Sequence, residues 1–256
     1  SLTSEKVKEM FANCSSLKRI DMSSFDFHDA EYLNSTFCGC TSLQEVIFGE
    51  HNTSTIKEIK NAFLNVGGNG EFTCVNADFS SVTNMQNAFK GATATSFNLS
   101  GWKTQNVQNF GSMFQNCTSL TTAPELPATT VTNYCYQDMF NGCTSLTTAP
   151  TILPATAVKS DCYNSMFKVC TSLTAAPELP ATELWANCYQ SMFYGCTSLT
   201  TAPELPATTL YASCYQSMFY GCKKLSKITM LATNISGTGC LTNWVYDVAS
   251  TGTFTK

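Results

Sequence analysis

Cysteine is the residue of this 256-residue chain most capable of chemistry, and there are fourteen of them. Thiols form disulfides, ligate metals or act as nucleophiles, and their spacing separates these uses. In the later part of the chain they pair as Cys135/Cys143, Cys162/Cys170, Cys188/Cys196 and Cys214/Cys222, eight residues apart. No Cys-x-x-Cys occurs, and zinc sites normally need such close pairs or histidines, so no metal is expected. One column of thiols, Cys14, Cys40, Cys117, Cys143, Cys170, Cys196 and Cys222, shares its register with Val66 and Ala92. A slot that also takes valine and alanine asks for a small apolar group, so these seven are expected to be free and buried. Cys135, Cys162, Cys188 and Cys214 have no such substitutes. Stacked neighbours among them could meet the roughly 4.4–6.8 Å Cα separation of a disulfide, and their state stays open.

Other reactive side chains are sparse. His28 and His51 are the two histidines, and no H-E-x-x-H, G-x-S-x-G or P-loop pattern occurs. Asp26-Phe27-His28-Asp29 is the one local acid/histidine cluster, and its polar surroundings predict a solvated loop. Gly67-Gly68-Asn69-Gly70 is too short and wrongly spaced to cradle a phosphate and reads as a turn. No catalytic residue and no cofactor is expected. Tyr136, Tyr163, Tyr189 and Tyr215 could pass for a glycan-stacking platform, but Val7, Leu33, Ile59 and Met85 hold the equivalent position. Core filler is the expectation, whereas Tyr194, Tyr211 and Tyr220, outside that column, are expected at the surface. Four strings, Leu126-Pro127-Ala128-Thr129, Leu153-Pro154-Ala155-Thr156, Leu179-Pro180-Ala181-Thr182 and Leu205-Pro206-Ala207-Thr208, resemble the L-P-x-T-G wall-attachment signal. None is followed by glycine and all recur in phase, so they are read as strand-to-turn structure.

The elements that position these residues are set by a repeat. Phe11, Phe37, Phe63, Phe89, Phe114, Phe140, Phe167, Phe193 and Phe219 recur at intervals of 25 to 27 residues. Apolar residues stand four and one before each Phe and three after, Thr36 excepted, which predicts a short helix-like stretch with one apolar side. Six after the Phe comes a leucine in most repeats, Leu17, Leu43, Leu120, Leu146, Leu173, Leu199 or Leu225, followed three later by Ile20, Val46, Ala123, Ala149, Ala176, Ala202 or Ile228. Leu17-x-x-Ile20-x-Met22 predicts a strand with alternate residues inward. Pro124-Glu125, Pro177-Glu178 and Pro203-Glu204 delay the third apolar residue by one, and proline lacks a ladder donor, so a bulge or strand end is expected there. Phe72-Thr73-Cys74-Val75 and Phe97-Asn98-Leu99 supply strands where the leucine is missing. Such units bury their apolar faces only by stacking.

Composition excludes several functions. Hydrophobic residues are 43 % and charged residues 12 %, so an ordered core is expected, with Thr, Ser and Asn covering the surface. A net charge of −4 and a single arginine, Arg19, argue against nucleic acid. No apolar run reaches the roughly 20 residues of a membrane span. Ser1 to Lys6 lacks an apolar signal core, so a targeting segment or anchor is expected outside this sequence.

Ser191-Met192-Phe193-Tyr194-Gly195-Cys196-Thr197-Ser198-Leu199 and its copies closely resemble the BspA-type leucine-rich repeat. Leu99-Ser100-Gly101-Trp102-Lys103-Thr104-Gln105-Asn106-Val107 resembles the related L-S-x-W-D-T-S-N-V signature, with Lys103 in place of the acidic residue. Gln108 and Phe110 stand where that family often has Thr and Met. The resemblance implies surface-displayed proteins of gut and oral commensal bacteria that adhere to host proteins or other cells. The fold expected is an α/β repeat solenoid, a leucine-rich-repeat-like right-handed stack of about ten ~26-residue coils, with one parallel sheet of short strands and short helical or irregular segments opposite. One domain over 1–256 is expected. Its Leu/Cys-type coils cover 1–60 and 111–230, variant coils with the Trp/Asn-Val signature cover 61–110, and a cap covers 231–256.

The outward strand position two after each leucine is Arg19, Glu45, Thr122, Thr148, Ala175, Thr201 and Lys227. The expected contact surface is the stripe through Thr122, Thr148 and Thr201, with Glu125, Glu178 and Glu204 beside it. It would hold an extracellular protein or glycan. A passive stalk that displays another domain is the alternative.

Overall fold

The computed structural model describes residues 1–49, 52–125 and 131–255. They form two compact units, Ser1–Leu120 and Thr121–Lys256.

In the first unit, four short strands pair in parallel in chain order: β1 (Arg19–Met22), β2 (Glu45–Phe48), β3 (Glu71–Val75) and β4 (Ser96–Asn98). The register joins Ile20 to Val46, Val46 to Cys74 and Phe72 to Phe97. Alternation does the sorting: Val46, Phe48, Phe72 and Cys74 are buried while Glu71 faces water. A second row of single bridges runs Tyr32, Glu58, Asn84, Asn109 on another side of each turn. Trp102, the signature tryptophan, lies half-buried against the core of this unit: its Nε1 donates to the Cys74 carbonyl at 3.2 Å and its ring meets Phe79 edge-on at 4.7 Å. Lys103, which replaces the family's acidic residue, pairs with Asp78 at 3.1 Å.

The second unit carries β5 (Ala157–Val158), β6 (Glu183–Leu184), β7 (Glu204–Leu205), β8 (Lys227–Met230) and β9 (Thr253–Thr255). All pairs are again parallel, but the ladder is in pieces, β5-β6 and β7-β8-β9, rather than the one sheet expected. Proline is the cause. Thr122 bridges Thr148 and Ala175 bridges Thr201, then Pro124, Pro150, Pro177 and Pro203 interrupt the donors, and pairing resumes at Ile152–Glu178 and Glu204–Leu205. In the three L-P-x-T strings at 153–156, 179–182 and 205–208, the leucine and alanine are buried, as strand-to-turn structure requires. The first string, at 126–129, lies outside the described residues, as does His51.

The stretch around each Phe is not the helix its apolar spacing predicts. The one α-helix among the described residues, α1, is four residues long, Ser4–Val7. From Ser191 to Cys196, even-numbered residues donate three back within the turn, as from Met192 to Tyr189 at 3.2 Å. Odd-numbered ones donate across to the next turn, as from Phe193 to Met218 at 2.9 Å. An α-helix would keep every N–H inside one coil; this ribbon uses half of them to join coils. The geometry requires a left-handed residue two before and two after each Phe, filled by Ser35 and Gly39, Asn61 and Asn65, Ser191 and Gly195, Ser217 and Gly221. Of these, glycine and asparagine tolerate positive φ best.

The apolar side itself is as expected. Phe37, Phe63, Phe89 and Phe114 are buried in the first unit, and Phe140, Phe167, Phe193 and Phe219 in the second. Within each unit the rings form offset stacks, from 5.0 Å for Phe63–Phe89 to 5.7 Å for Phe167–Phe193. Burying each contributes roughly 1.5–3 kcal/mol. Phe11 is half-buried because its first turn is covered on one side only.

Candidate contact surface

Thr122, Thr148, Ala175 and Thr201 are all exposed, each two residues after a buried leucine. They form two paired steps, Thr122–Thr148 and Ala175–Thr201, linked through the Ile152–Glu178 bridge. The turn from Phe140 to Phe167 carries one extra residue, which shifts the pairing between them. One position earlier, Thr147 and Thr200 hydroxyls donate to the Thr121 and Thr174 carbonyls at 3.1 Å. Among the described residues the hydroxyls of Thr122, Thr148 and Thr201 make no such bond and face solvent. Glu125, Glu178 and Glu204 are exposed beside them. The Glu125 carboxylate accepts from the Thr151 N–H and hydroxyl at 3.1 Å. At Thr201 the surface hollows into a cavity of about 290 Å3 bounded by Glu204 and Lys227. The same strand position in the first unit is charged and self-paired, Arg19 to Glu45.

The cysteines form no disulfide among the described residues. Cys40, Cys117, Cys143, Cys170, Cys196 and Cys222 are buried as expected, but Cys14 is exposed, because no turn in this structure stacks on its outer side. Cys135, Cys162, Cys188 and Cys214 are also buried and outside any disulfide. Burial pushes Cys162, Cys170, Cys188 and Cys196 well above the usual thiol range, and Cys214 and Cys222 up to about 12. Such thiols are poor nucleophiles at neutral pH. Tyr136, Tyr163, Tyr189 and Tyr215 are core, stacked within 5.6–6.0 Å of one another. His28 is an exposed loop residue, its Nδ1 3.3 Å from Asp29, and its own N–H donates to Asp26. Among the described residues no group of three His, Cys, Asp or Glu side chains is arranged to hold a metal ion. No helix among them is long and apolar enough to cross a membrane.

Surface aromatics hold more structure than the sequence reading anticipated. Tyr211 is exposed as expected, but Tyr194 and Tyr220 are half-buried, because they stack on each other at 4.6 Å and Tyr220 on Tyr246 at 4.8 Å. Trp185 is half exposed, with the Lys159 ammonium 4.7 Å above its ring. The signal that would have found it is the same 26-residue spacing, carried from Trp185 to Tyr211.

Parallel turns of about 26 residues, most of them closed by a leucine, a stacked Phe and a small residue, define a leucine-rich-repeat solenoid. Residues 5–122 and 49–153 match the family described as Mycoplasma protein of unknown function, DUF285, and residues 160–243 match the BspA type leucine rich repeat region in six copies. The chain belongs to the DUF285 family, which covers more than half of it, and its later turns are BspA-type repeats. Among curated proteins none matches the chain. A leucine-rich repeat protein from Bacteroides ovatus ATCC 8483 is 19 % identical over 93 % of this chain and 69 % of its own, with a TM-score of 0.35. A leucine rich cell surface protein from Faecalibacterium prausnitzii A2-165 is 13 % identical over 91 % of this chain and 82 % of its own, with a TM-score of 0.24.

Proposed function

We propose that the chain is a non-enzymatic contact module displayed outside a bacterial cell, holding an extracellular protein or glycan on the strand face of its second unit. The observation that carries this reading is the set of uncommitted, exposed hydroxyls at Thr122, Thr148 and Thr201, repeated at the spacing of the turns. A surface of this kind adds modest polar contacts turn by turn, with Glu125, Glu178 and Glu204 at its border. Display at the cell surface is what the BspA-type resemblance implies. Neither matching family model describes a catalytic family.

A second reading, a passive spacer, is favoured by the outward groups already engaged within the stack, Thr147, Thr200 and Glu125. Immobilised chain probed with panels of extracellular matrix proteins and glycans separates the two. Saturable retention of at least one member supports the contact module. Retention of none across both panels leaves the spacer.

A further inference from the structure

In the second unit the residue eight before each Phe is Thr132, Lys159, Trp185 and Tyr211. The fold accepts threonine or lysine in that column, so packing does not require a ring there. Yet Trp185 and Tyr211 place two large rings at the surface of adjacent turns, 51 % and 54 % exposed. Tyr194 and Tyr220, equally adjacent, close on each other in a nearly parallel stack at 4.6 Å. Among the described residues Trp185 and Tyr211 form no such stack. They line a cavity of about 530 Å3 together with Thr182, Glu183, Thr208 and Thr209. Lys159 steadies the indole from the neighbouring turn.

We propose that this cavity is a binding site for a neutral saccharide, with a pyranose ring held against Trp185 and Tyr211. A pyranose presents a C–H face that packs on an aromatic ring and a rim of hydroxyls that both donate and accept. The cavity matches both halves. Its rings supply the flat apolar wall, the Glu183 carboxylate accepts, and the hydroxyls of Thr182, Thr208 and Thr209 donate and accept. None of those three hydroxyls is used within the described structure. The volume falls within the usual range for small-ligand sites, roughly 300–1,000 Å3. Glu183 is the one charged side chain among the lining residues, and a carboxylate there disfavours an acidic sugar or a phosphate. The site shares no residue with the Thr122–Thr201 face, and neither needs the other.

The test is titration of the whole chain with cellotriose, maltotriose and triacetylchitotriose, and with sialyllactose as the anionic control, followed by tryptophan fluorescence and calorimetry. At least one neutral trisaccharide is expected to bind with a Kd in the millimolar range or below. Trp185→Ala and Tyr211→Ala should each weaken it about tenfold or more, with unchanged thermal midpoints because both rings are exposed. Tyr246→Ala, and Thr122, Thr148 and Thr201 changed together to lysine, should bind the sugar as the unaltered chain does. The proposal is overturned if no neutral trisaccharide binds, if sialyllactose binds more tightly, or if binding survives both ring truncations. None of these outcomes bears on protein contact through the threonine face.

Discussion

The thiol of Cys196 donates to the main-chain carbonyl of Phe167, 3.1 Å away and one turn back in the stack. Cys117 reaches Phe89, Cys170 reaches Phe140 and Cys222 reaches Phe193 at the same distance. The slot is therefore more than the small apolar space that Val66 and Ala92 suggest. A thiol fits the volume and also joins one turn to the one before.

Thiol counting tests this arrangement. In denaturant without reductant all fourteen cysteines should react. In the native chain Cys14 should react quickly and Cys38, half-buried, slowly, with the twelve buried thiols protected. A denatured count near zero would mean a disulfide ladder in their place.

Phe167 is wholly buried between Phe140 at 5.5 Å and Phe193 at 5.7 Å, while Thr148 is exposed. Phe167→Ala should cost about 3–5 kcal/mol in urea unfolding, and Thr148→Ala no more than about 0.5. Equal midpoints for the two variants would break the repeat register.

Val169 occupies a left-handed position, φ 60°, that Gly142, Gly195 and Gly221 hold in neighbouring turns. A β-branched residue there is strained by about 1–3 kcal/mol, partly offset by the greater chain entropy that glycine loses on folding. Val169→Gly should therefore raise stability by about 1 kcal/mol, and Gly195→Val should lower it. A loss of stability in Val169→Gly would contradict the ribbon geometry.

Stability should fall in alkali. The buried thiols have raised pKa values in the folded chain, above the ordinary 9.0, with Cys214 and Cys222 at about 12. The folded state therefore holds protons that the unfolded state has released. Their contribution is complete below pH 9.0 and is lost progressively as pH rises toward about 12. Urea midpoints should be level between about pH 7 and 8 and decline above about 9, less steeply in Cys196→Ala/Cys222→Ala. An unchanged midpoint at about pH 11 would contradict the burial of these groups as neutral thiols.

The Phe, Tyr and Cys columns were legible because substitution within a column reports its environment: Val7 for Tyr136, Ala92 for Cys196. Strands at Glu45–Phe48 and Lys227–Met230 were legible from period-two burial. The ribbon was not, because a three- and four-residue apolar spacing is shared by an α-helix and by linked turns that become left-handed every fourth residue. Ser, Asn and Gly two positions either side of most of the Phe residues carried that information, with Glu9, Asp138 and Val169 as the exceptions. The broken ladder follows from the prolines, but where pairing resumes depends on the extra residue between Phe140 and Phe167. The threonine face could be placed by alternation alone. Its uncommitted hydroxyls could not, since Thr147 and Thr148 differ only in which way the backbone turns them.

The most direct measurement concerns that face. Thr122, Thr148 and Thr201 changed together to lysine add bulk and offset the negative charge of Glu125, Glu178 and Glu204, leaving every buried column untouched. Stability should change by no more than about 0.5 kcal/mol per site. A protein, or a glycan whose retention survives Trp185→Ala and Tyr211→Ala, that the unaltered chain holds in the panels above should bind the triple variant much more weakly, by at least about tenfold, or about 1.4 kcal/mol. Equal binding by a folded triple variant would contradict the account and move the contact away from the strand face.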